Sequence, residues 1–320
     1  MPTIAIGLKE ELVSPDILER IKSVAPGYDI LISRDKDEIG EKLQSIKIAV
    51  GSFPRDLLAT APKLRWFQQW GAGADWLFRY PEVAKRDLTI TNTSGIHPIQ
   101  ITEHVFATLL AFARQLPKSY AAQKQGEWIK FANNDLFELD GKTMLIVGVG
   151  AIGKRTAKLA RAFGMRVVGM KRNVEEEVQD VEKMVKPDAL HDVLPEADVI
   201  VLTIPLTTDT KNFIGQQELE LMKDDACLIN IGRGGTIDED ALLEVLKEGK
   251  LSGVGLDVFE EEPLPESSAL WRQERVLVTP HYAGLSPRYD ERAFEIFFEN
   301  LERYVKGQDL THVVDKELGY

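Results

Sequence analysis

The sequence predicts an α/β protein made of two parallel-sheet units that follow one another along the chain. Short apolar runs of strand length alternate with amphipathic segments of helical length, which is typical of parallel sheets covered by helices. The alternation occurs twice, once before and once after a long apolar helix predicted at Ile99–Gln115. The length of 320 residues also fits two domains of ordinary size.

In the first unit, residues 1–98, the apolar runs predict strands with short helices between them. Ser14 is the expected N-cap of the first helix and Pro15 its first residue, because both residue types favour these positions. The predicted strands are Ile4–Leu8, Asp29–Ser33, Ile46–Gly51, Leu64–Trp70 and Leu88–Thr91. The predicted helices are Ser14–Val24, Glu38–Gln44 and Arg55–Ala61.

The second unit, residues 99–288, begins with the long helix and then repeats the alternation. That helix carries small and apolar residues on several faces, so we expect it to be buried in a core or against a second chain. The predicted strands are Thr143–Val147, Arg166–Met170, Val199–Thr203, Ala226–Asn230, Leu251–Asp257 and Val276–Thr279. Further helices are predicted at Gly153–Phe163, at Asp238–Glu248 and, closing the chain, at Ser286–Val305, and the acidic run 175–177 is expected to be a solvated helix start.

Composition and charge exclude several classes of function. A net charge of −12 argues against a nucleic acid as a partner, because neutralising phosphates needs a basic face. Cys227 is the single cysteine, which excludes an internal disulfide and makes a reducing cytoplasm the expected location. No signal-peptide pattern opens the sequence, and no apolar stretch approaches the roughly 18 residues of a membrane span. We expect no membrane partner and no metal.

A glycine-rich turn links the first strand of the second unit to the helix that follows it. Its G-x-G-x-x-G pattern places Gly148 at a tight turn, Gly150 where the backbone must approach a pyrophosphate, and Gly153 where helix and strand pack closely. The helix N-terminus adds free N–H groups and a positive partial charge, which favour a phosphate. We therefore expect a dinucleotide site of the Rossmann type, with Ala151 and Ile152 as further contacts.

Two cations occupy the position that separates NAD from NADP sites. An NAD site of this type carries a carboxylate at the end of the next strand, where it holds the ribose hydroxyls. Here that position is Lys171, followed by Arg172. Cations attract the 2′-phosphate of NADP(H), and an arginine can bind it through paired hydrogen bonds. The sequence therefore favours NADP(H) as cofactor, with NAD(H) as the alternative if both residues are merely exposed loop cations.

Polar side chains also follow three predicted strands of the second unit. Arg233, Asp257, Glu262 and His281 stand in these segments, and a core would not tolerate them unpaired. In a doubly wound sheet the carboxyl ends of the strands border the ligand crevice. We therefore expect the four side chains to face one cleft.

Together these motifs resemble, in order and spacing, the D-isomer-specific 2-hydroxyacid dehydrogenase family. The resemblance rests on the glycine turn, on the blocks 230–238 and 257–264, and on the step Pro280–His281. With the first unit included, the likeness covers nearly the whole chain.

The resemblance implies an architecture of two Rossmann-like doubly wound parallel-sheet domains with a cleft between them. The substrate domain would be discontinuous, comprising residues 1–98 plus 289–320, and the dinucleotide-binding domain would comprise residues 99–288. The family usually dimerises through the nucleotide domain, so we expect a homodimer. The long apolar helix and the arm Trp128–Leu139 suit that contact.

The resemblance also implies roles for the four strand-end residues. Arg233 resembles the arginine that binds the carboxylate and keto oxygen of the substrate, and an arginine can hold a carboxylate bidentately. His281 resembles the acid/base and Glu262 the carboxylate that pairs with it. A histidine suits this chemistry because it titrates near neutrality and can protonate the developing alkoxide. Asp257 resembles the residue that contacts the nicotinamide carboxamide.

A Gly-Ala-Gly loop in the first unit is expected to be a second anchor for the substrate. Its successive backbone N–H groups suit a carboxylate, and the family uses this loop in that way. The substrate-side residues implied are Gly71, Ala72, Gly73, Trp70 and His97. The further cofactor-side residues implied are Thr102, Ile204, Pro205, Thr210, Ile231, Gly232 and Ala283. A core role for Trp70 and a plain turn at the loop stay open as alternatives.

The predicted function is the NAD(P)-dependent reduction of a small 2-keto acid to a D-2-hydroxy acid. Within the family, a phosphoglycerate, formate or phosphite dehydrogenase is an alternative. The chain ends at Tyr320, which leaves no room for the regulatory domain common in the phosphoglycerate enzymes. A dinucleotide-sensing, corepressor-like binding protein is the alternative from another class, because it needs only the cofactor site. The sequence leaves the preferred 2-keto acid open.

Overall fold

The computed structural model of the chain describes residues 1–175 and 177–319. Within these residues there are two sheets, of five and seven strands, and their strand pairings are parallel. The predicted α/β class with two parallel sheets is thereby confirmed. The chain divides into two compact units, one comprising Met1–Ile96 with Ser286–Tyr320 and the other His97–Leu285.

The first unit is built on the sheet formed by the N-terminal part of the chain. Its strands are β1 (Thr3–Gly7), β2 (Asp29–Ile32), β3 (Ile46–Gly51), β4 (Trp66–Gln68) and β5 (Thr89–Thr91). The helices are α1 (Pro15–Val24), α2 (Lys36–Lys42), α3 (Arg55–Thr60) and α4 (Pro81–Ala84). The strand order is β2-β1-β3-β4-β5, the flavodoxin-like order of a doubly wound sheet. Ser14 caps α1 as predicted, because its hydroxyl accepts a hydrogen bond from the N–H of Ile17.

The second unit is built on the larger sheet. Its helices are α5 (Pro98–Ala113), α6 (Leu116–Gln125), α7 (Ala151–Ala162), α8 (Leu190–Val193), α9 (Gln216–Leu221) and α10 (Glu239–Lys247). Its strands are β6 (Thr143–Val147), β7 (Arg166–Met170), β8 (Lys183–Val185), β9 (Val199–Leu202), β10 (Cys227–Asn230), β11 (Gly253–Leu256) and β12 (Val276–Val278). The order β12-β11-β10-β9-β6-β7-β8, counted from β6, is the Rossmann order 3-2-1-4-5-6 with one further edge strand.

The final helix, α11 (Tyr289–Val305), belongs to the first unit. It begins three residues later than the predicted Ser286. Its apolar face packs on the sheet, where Phe297 stacks against the fully buried Trp66 of β4 with ring centroids 5.7 Å apart. Trp66 also donates from its indole N–H to the hydroxyl of Thr91 in β5, at 2.8 Å. The C-terminal segment therefore completes the core of the unit that the N-terminal strands begin.

The long apolar helix α5 is buried within the second unit itself. A Cβ placed on Gly255 of β11 would overlap the methyl group of Thr108, and one placed on Gly253 would overlap the ring of Phe112. The two glycines thus let the helix backbone lie directly against the sheet. We expected this helix to be buried either in a core or against a second chain. The apolar side chains on its inner faces are buried in the core of its own unit.

The sequence and the structure differ at a few short elements. Strand β8 was not predicted, because three residues that begin with a lysine are too short to show a periodic pattern. The predicted strand Leu64–Trp70 forms only Trp66–Gln68, since the chain turns into a loop at Gln69. Of the predicted helix start at 175–177, Glu176 lies outside the described residues, and Glu175 and Glu177 form no helix. Among the described residues, no helix is both long and apolar enough to cross a membrane.

Candidate active site

The three glycines of the turn between β6 and α7 differ in the space around them. Gly148 has a φ of +102°, and a Cβ on it would lie 2.8 Å from the hydroxyl of Thr203. A Cβ on Gly153 would overlap the carbonyl oxygen of Gly148, so α7 packs tightly against the end of β6. Gly150 differs from both, because a Cβ there would meet nothing within 4 Å. Its backbone faces open space at the N-terminus of α7, which fits a pyrophosphate.

Lys171 and Arg172 lie next to this turn. The N–H groups of Gly148 and Val149 both donate to the carbonyl of Met170, the last residue of β7, at 3.0 and 3.2 Å. Lys171 follows directly and is half-buried, and Arg172 is exposed. The backbone therefore places both cations at the strand end where a cofactor of this fold presents its adenosine ribose.

Three loops that follow β6, β9 and β10 meet at Ile204. A Cβ on Gly148 would contact the Ile204 side chain at 2.9 Å, and a Cβ on Gly232 would contact its carbonyl oxygen at 2.6 Å. The loop beyond Ile204 is held by Thr210, whose hydroxyl donates to the carbonyl of Pro205 and accepts from the N–H of Thr207, both at 2.7 Å. The structure thus brings together five residues of the predicted cofactor side, namely Gly148, Ile204, Pro205, Thr210 and Gly232.

Arg233 is positioned by Asn230, the last residue of β10. The Asn230 side chain is fully buried, accepts from the N–H of Gly232 at 3.0 Å and donates to the carbonyl of Arg233 at 3.0 Å. Thr236 donates to the same carbonyl at 2.6 Å. A Cβ on Gly234 would overlap the backbone of Phe259, so this turn packs against the segment that carries Glu262. Asn230 closes the turn, and the half-buried Arg233 side chain extends from it.

His281 and Glu262 form a direct pair. The imidazole Nδ1 lies 2.7 Å from Glu262 Oε2, and the other carboxylate oxygen accepts from the N–H of Phe259 at 3.0 Å. Because a carboxylate only accepts, Nδ1 carries the proton and Nε2 is the atom available for exchange. Both side chains are partly exposed, at 49% and 35%. His281 has a φ of +49°, a left-handed conformation that is uncommon for a residue other than glycine.

Asp257 holds the backbone that carries His281. Its carbonyl accepts from the N–H of His281 at 2.9 Å, Oδ1 accepts from the N–H of Tyr282 at 3.1 Å, and Oδ2 accepts from the N–H of Ala283 at 3.0 Å. The hydroxyl of Thr279 also donates to Oδ1, at 2.7 Å. Asp257 is 2% exposed, so its carboxylate acts in the first instance on this loop. Contact with a nicotinamide carboxamide stays a prediction.

Some predicted cofactor and substrate residues offer little or no side-chain surface. Thr102 is fully buried, and its hydroxyl lies 3.4 Å from that of Thr156 where α5 meets α7. Its side chain has no exposed surface, and contact with a cofactor phosphate stays a prediction. Ile231 and Ala283 are 7% and 5% exposed, which leaves them mainly backbone atoms for a ligand. His97 is 9% exposed and packs beside Gly284.

In the first unit, the Gly71–Gly73 loop presents its amides outward. The Gln69 side chain donates to the carbonyls of Gly71 and Gly73, and Asn92 donates to the carbonyl of Ala72 at 2.8 Å. With the carbonyls bound inward, the N–H groups of residues 71–73 have no acceptor among the described residues. Gly71 lacks the positive φ of a left-handed turn. The loop is therefore shaped by buried amide side chains.

Trp70 is anchored to the last helix of its own unit. Its indole N–H donates to Asp290 at 2.8 Å, and its ring packs edge-on against Phe294 at a centroid distance of 4.8 Å. The hydroxyl of Tyr289 donates to its carbonyl. These contacts account for the tryptophan as part of the core, which was one of the two roles considered for it.

Sequence reasoning missed several residues that fix the predicted site segments within each unit. They are Asn230, Thr279 and Glu239 in the second unit, and Gln69 and Asn92 in the first. A polar residue at the very end of an apolar strand is the signal that could have found the first, because such a side chain must be satisfied by the following turn. Glu239 accepts from the N–H of Glu260 at 2.7 Å. Burial, with the nearby carboxylates of Glu260, Asp240 and Glu262, raises the pKa of Glu239.

The family model for the NAD binding domain of D-isomer specific 2-hydroxyacid dehydrogenases matches residues 106–283, more than half of the chain. The chain belongs to this family. The matched stretch lies within the second unit, the one that carries the glycine turn, Arg233, Glu262 and His281. The resemblance drawn from the sequence motifs is thereby confirmed.

Named relatives of this D-isomer specific 2-hydroxyacid dehydrogenase extend over nearly the whole chain. It is 33% identical over 316 residues to a glyoxylate reductase from Thermococcus litoralis, covering 93% of this chain and 94% of that protein. It is 32% identical over 303 residues to a D-3-phosphoglycerate dehydrogenase from Methanocaldococcus jannaschii, covering 93% of this chain but only 56% of that protein.

A solved structure supports the fold. An NADPH-dependent glyoxylate/hydroxypyruvate reductase from Sinorhizobium meliloti, crystallised with NADP and sulfate, is similar with a TM-score of 0.83 at 29% identity. The similarity covers 100% of both chains. Both units of this family member therefore have counterparts in a known structure.

Proposed function

We propose that this protein is a reductase of small 2-keto acids that prefers NADPH and uses His281, paired with Glu262, as its proton donor. The observation that carries the proposal is the 2.7 Å hydrogen bond from His281 Nδ1 to Glu262. It directs Nε2 away from the carboxylate and makes it the exchangeable position. The second unit would bind the dinucleotide and the first unit the substrate, as the sequence predicts.

The residues of the site can supply the proton that the reduction of a keto group requires. When bound, the reduced nicotinamide supplies a hydride to the carbonyl carbon. The carbonyl oxygen then gains negative charge, and His281 delivers its Nε2 proton to that oxygen. Glu262 orients the imidazole for this transfer, because it accepts the hydrogen bond from Nδ1 at 2.7 Å. His281 finishes neutral and recovers a proton from solvent, to which its side chain is 49% exposed.

Arg233 and the Gly71–Gly73 loop would bind the substrate carboxylate and keto oxygen. Arg233 is half-buried on a turn fixed by Asn230, so the backbone from which its guanidinium extends is held in place. The outward amides of Gly71, Ala72 and Gly73 supply donors without any charge of their own. An arginine with backbone amides suits an acid whose carboxylate adjoins the reacting carbonyl.

A purified-protein assay tests this function directly. Glyoxylate, hydroxypyruvate and pyruvate, each with NADPH and with NADH, are expected to give saturable oxidation of the reduced cofactor, with NADPH favoured at least about tenfold in kcat/KM. Binding of NADPH with no turnover of any acid in the panel would contradict the proposal. That outcome would favour the dinucleotide-sensing alternative.

Cofactor preference is proposed to depend on Lys171 and Arg172. The variant Lys171→Asp with Arg172→Ala is expected to lower the NADPH:NADH ratio of kcat/KM by at least about 100-fold, because two charge-assisted contacts to the 2′-phosphate are worth roughly 1.5–3 kcal/mol each. The Asp also supplies a carboxylate for the ribose hydroxyls of NADH.

A matched control separates this effect from net charge. Lys247→Asp with Arg166→Ala makes the same charge change at exposed ion pairs, Arg166 being at the opposite end of β7 from Lys171. The control is expected to leave the ratio within about twofold, as is usual for exposed pairs. An unchanged ratio in the Lys171 and Arg172 variant would refute their role.

We also propose that a second copy of the chain covers the segment that follows α5. Leu116, Tyr120 and Trp128 expose large apolar side chains there, Trp128 being 92% exposed. The support for a dimer comes from this segment and not from α5, because the apolar side chains of α5 are buried in its own unit. A monomer in sedimentation equilibrium at micromolar concentration would exclude the dimer.

A further inference from the structure

His104 lies on α5, beside the carboxyl end of β12. We infer that His104 is a positioning residue that acts through Thr279 on the carboxylate of Asp257, and so fixes the backbone that carries His281. The inference rests on the proposed function in taking His281 as the proton donor.

The direction of each hydrogen bond follows from the groups involved. Thr279 Oγ1 lies 2.7 Å from Asp257 Oδ1, and because a carboxylate can only accept, the single hydroxyl proton of Thr279 points to it. His104 Nε2 lies 3.2 Å from the same hydroxyl oxygen. With the hydroxyl proton committed to Asp257, Nε2 must be the donor. His104 therefore donates to Thr279, and Thr279 donates to Asp257.

The surroundings of His104 favour this arrangement. The side chain is 15% exposed, and burial lowers the pKa of His104 although Asp257, 4.0 Å away, acts in the opposite sense. The neutral imidazole has one ring proton, and the bond to Thr279 places it on Nε2. The ring of Tyr282 stands perpendicular to the imidazole at a centroid distance of 5.4 Å, which restrains its rotation.

The receiving end of this network is the loop of the proton donor. Asp257 accepts from three successive backbone N–H groups, those of His281, Tyr282 and Ala283. His281 sits at a φ of +49°, a conformation that persists only where the surroundings hold it. If the Asp257 carboxylate rotates, two of the three restraints on this segment weaken. Nε2 of His281 would then lose the position from which it delivers its proton, and a displacement of this kind is costly in rate.

Substitutions at the first two members of the network, His104 and Thr279, test the inference by steady-state kinetics. His104→Leu removes the donor, and Thr279→Val removes the hydroxyl at nearly constant shape. Each is expected to lower kcat by about tenfold with KM for the keto acid within about twofold, because positioning acts on the chemical step. His104→Gln should restore kcat to within about threefold of wild type, since its amide N–H can occupy the place of Nε2.

A double-mutant cycle distinguishes a shared network from two separate defects. If His104 acts through Thr279, the double variant His104→Leu with Thr279→Val should lose no more than either single variant. Losses that multiply, equal kcat in the Leu and Gln variants, or a rise in KM at constant kcat would each overturn the inference. Glu103→Leu, an exposed neighbour on the same helix, is the matched control and is expected to leave kcat within about twofold.

Hydrogen exchange gives a readout that does not need turnover. In the protein without added cofactor, the amides of His281–Ala283 should exchange faster in His104→Leu and Thr279→Val than in wild type and in His104→Gln. Unchanged exchange in both the Leu and the Val variants would refute the network even if the protein is an active reductase. Faster exchange in a protein that turns over no 2-keto acid would refute the proposed function and leave the network standing.

Discussion

Replacing His281 with alanine is expected to lower kcat for 2-keto acid reduction by about a thousandfold, since a positioned acid/base contributes roughly 10²–10⁴ in rate. The pair with Glu262 leaves Nε2 as the exchangeable position, and alanine removes that group entirely. Water can reach the site, because the His281 side chain is 49% exposed, so residual turnover supported by solvent protons should remain.

Binding of the cofactor is the companion measurement for this variant. The glycine turn, Lys171 and Arg172 lie at the ends of β6 and β7, whereas His281 follows β12. The dissociation constant for NADPH, measured by fluorescence titration, should therefore stay within about threefold of wild type, because the substitution removes none of these cofactor-side residues.

His191 supplies a matched control for this prediction. It is an exposed histidine of the same unit, paired with Glu218 at 2.6 Å in a contact of the same type. His191→Ala should leave kcat within about twofold, because an exposed pair away from the site contributes little. Turnover in His281→Ala close to that of wild type would show that another group donates the proton.

The strands of the second unit could be predicted because buried parallel strands consist of nearly continuous runs of apolar residues. Thr143–Val147 and Arg166–Met170 have the predicted bounds to the residue. Strand β8 could not be predicted, since an edge strand of three residues gains its conformation from pairing with β7 rather than from its own composition. A local sequence pattern thus predicts those strands whose conformation follows from burial.

For the site, the sequence could predict which residue types follow the strands but not what those side chains touch. The pairing of His281 with Glu262 was expected, and the structure brings them to 2.7 Å. Asp257 was expected at the nicotinamide, and that contact stays a prediction, but the bonds of its carboxylate to a hydroxyl and two backbone N–H groups were not foreseen. The path of the loop at 279–283 determines those contacts, and no periodic pattern encodes that path.

Thr102 shows the same limit on a helix. A threonine at the start of α5 could face the glycine turn or the neighbouring helix, and its position in the sequence does not distinguish the two. The structure turns it toward Thr156 of α7, where it is fully buried. Which face of a helix meets which neighbour depends on the packing of the whole unit.

Replacing Arg233 with alanine is expected to lower kcat/KM for the keto acid by about a thousandfold. A guanidinium that holds a carboxylate makes two charge-assisted hydrogen bonds worth roughly 1.5–3 kcal/mol each, and about 1.4 kcal/mol corresponds to a tenfold change. The backbone of the turn should survive the change, because Asn230 and Thr236 hold the carbonyl of residue 233 and not its side chain. The contact from Nη1 to the carbonyl of Gly232, at 2.7 Å, is lost together with the charge that makes it.

Arg233→Lys tests whether the fork of the guanidinium matters beyond its charge. A lysine keeps the charge but presents a single ammonium, so kcat/KM should recover only about tenfold from the alanine value. Arg303→Ala, which removes an exposed arginine paired with Glu299, is the control and should leave kcat/KM within about twofold. Circular dichroism and the NADPH dissociation constant should be unchanged in all three variants. If Arg233→Ala keeps kcat/KM within about tenfold of wild type, the substrate carboxylate must bind elsewhere, because loss of a bidentate charge pair is too large to escape measurement.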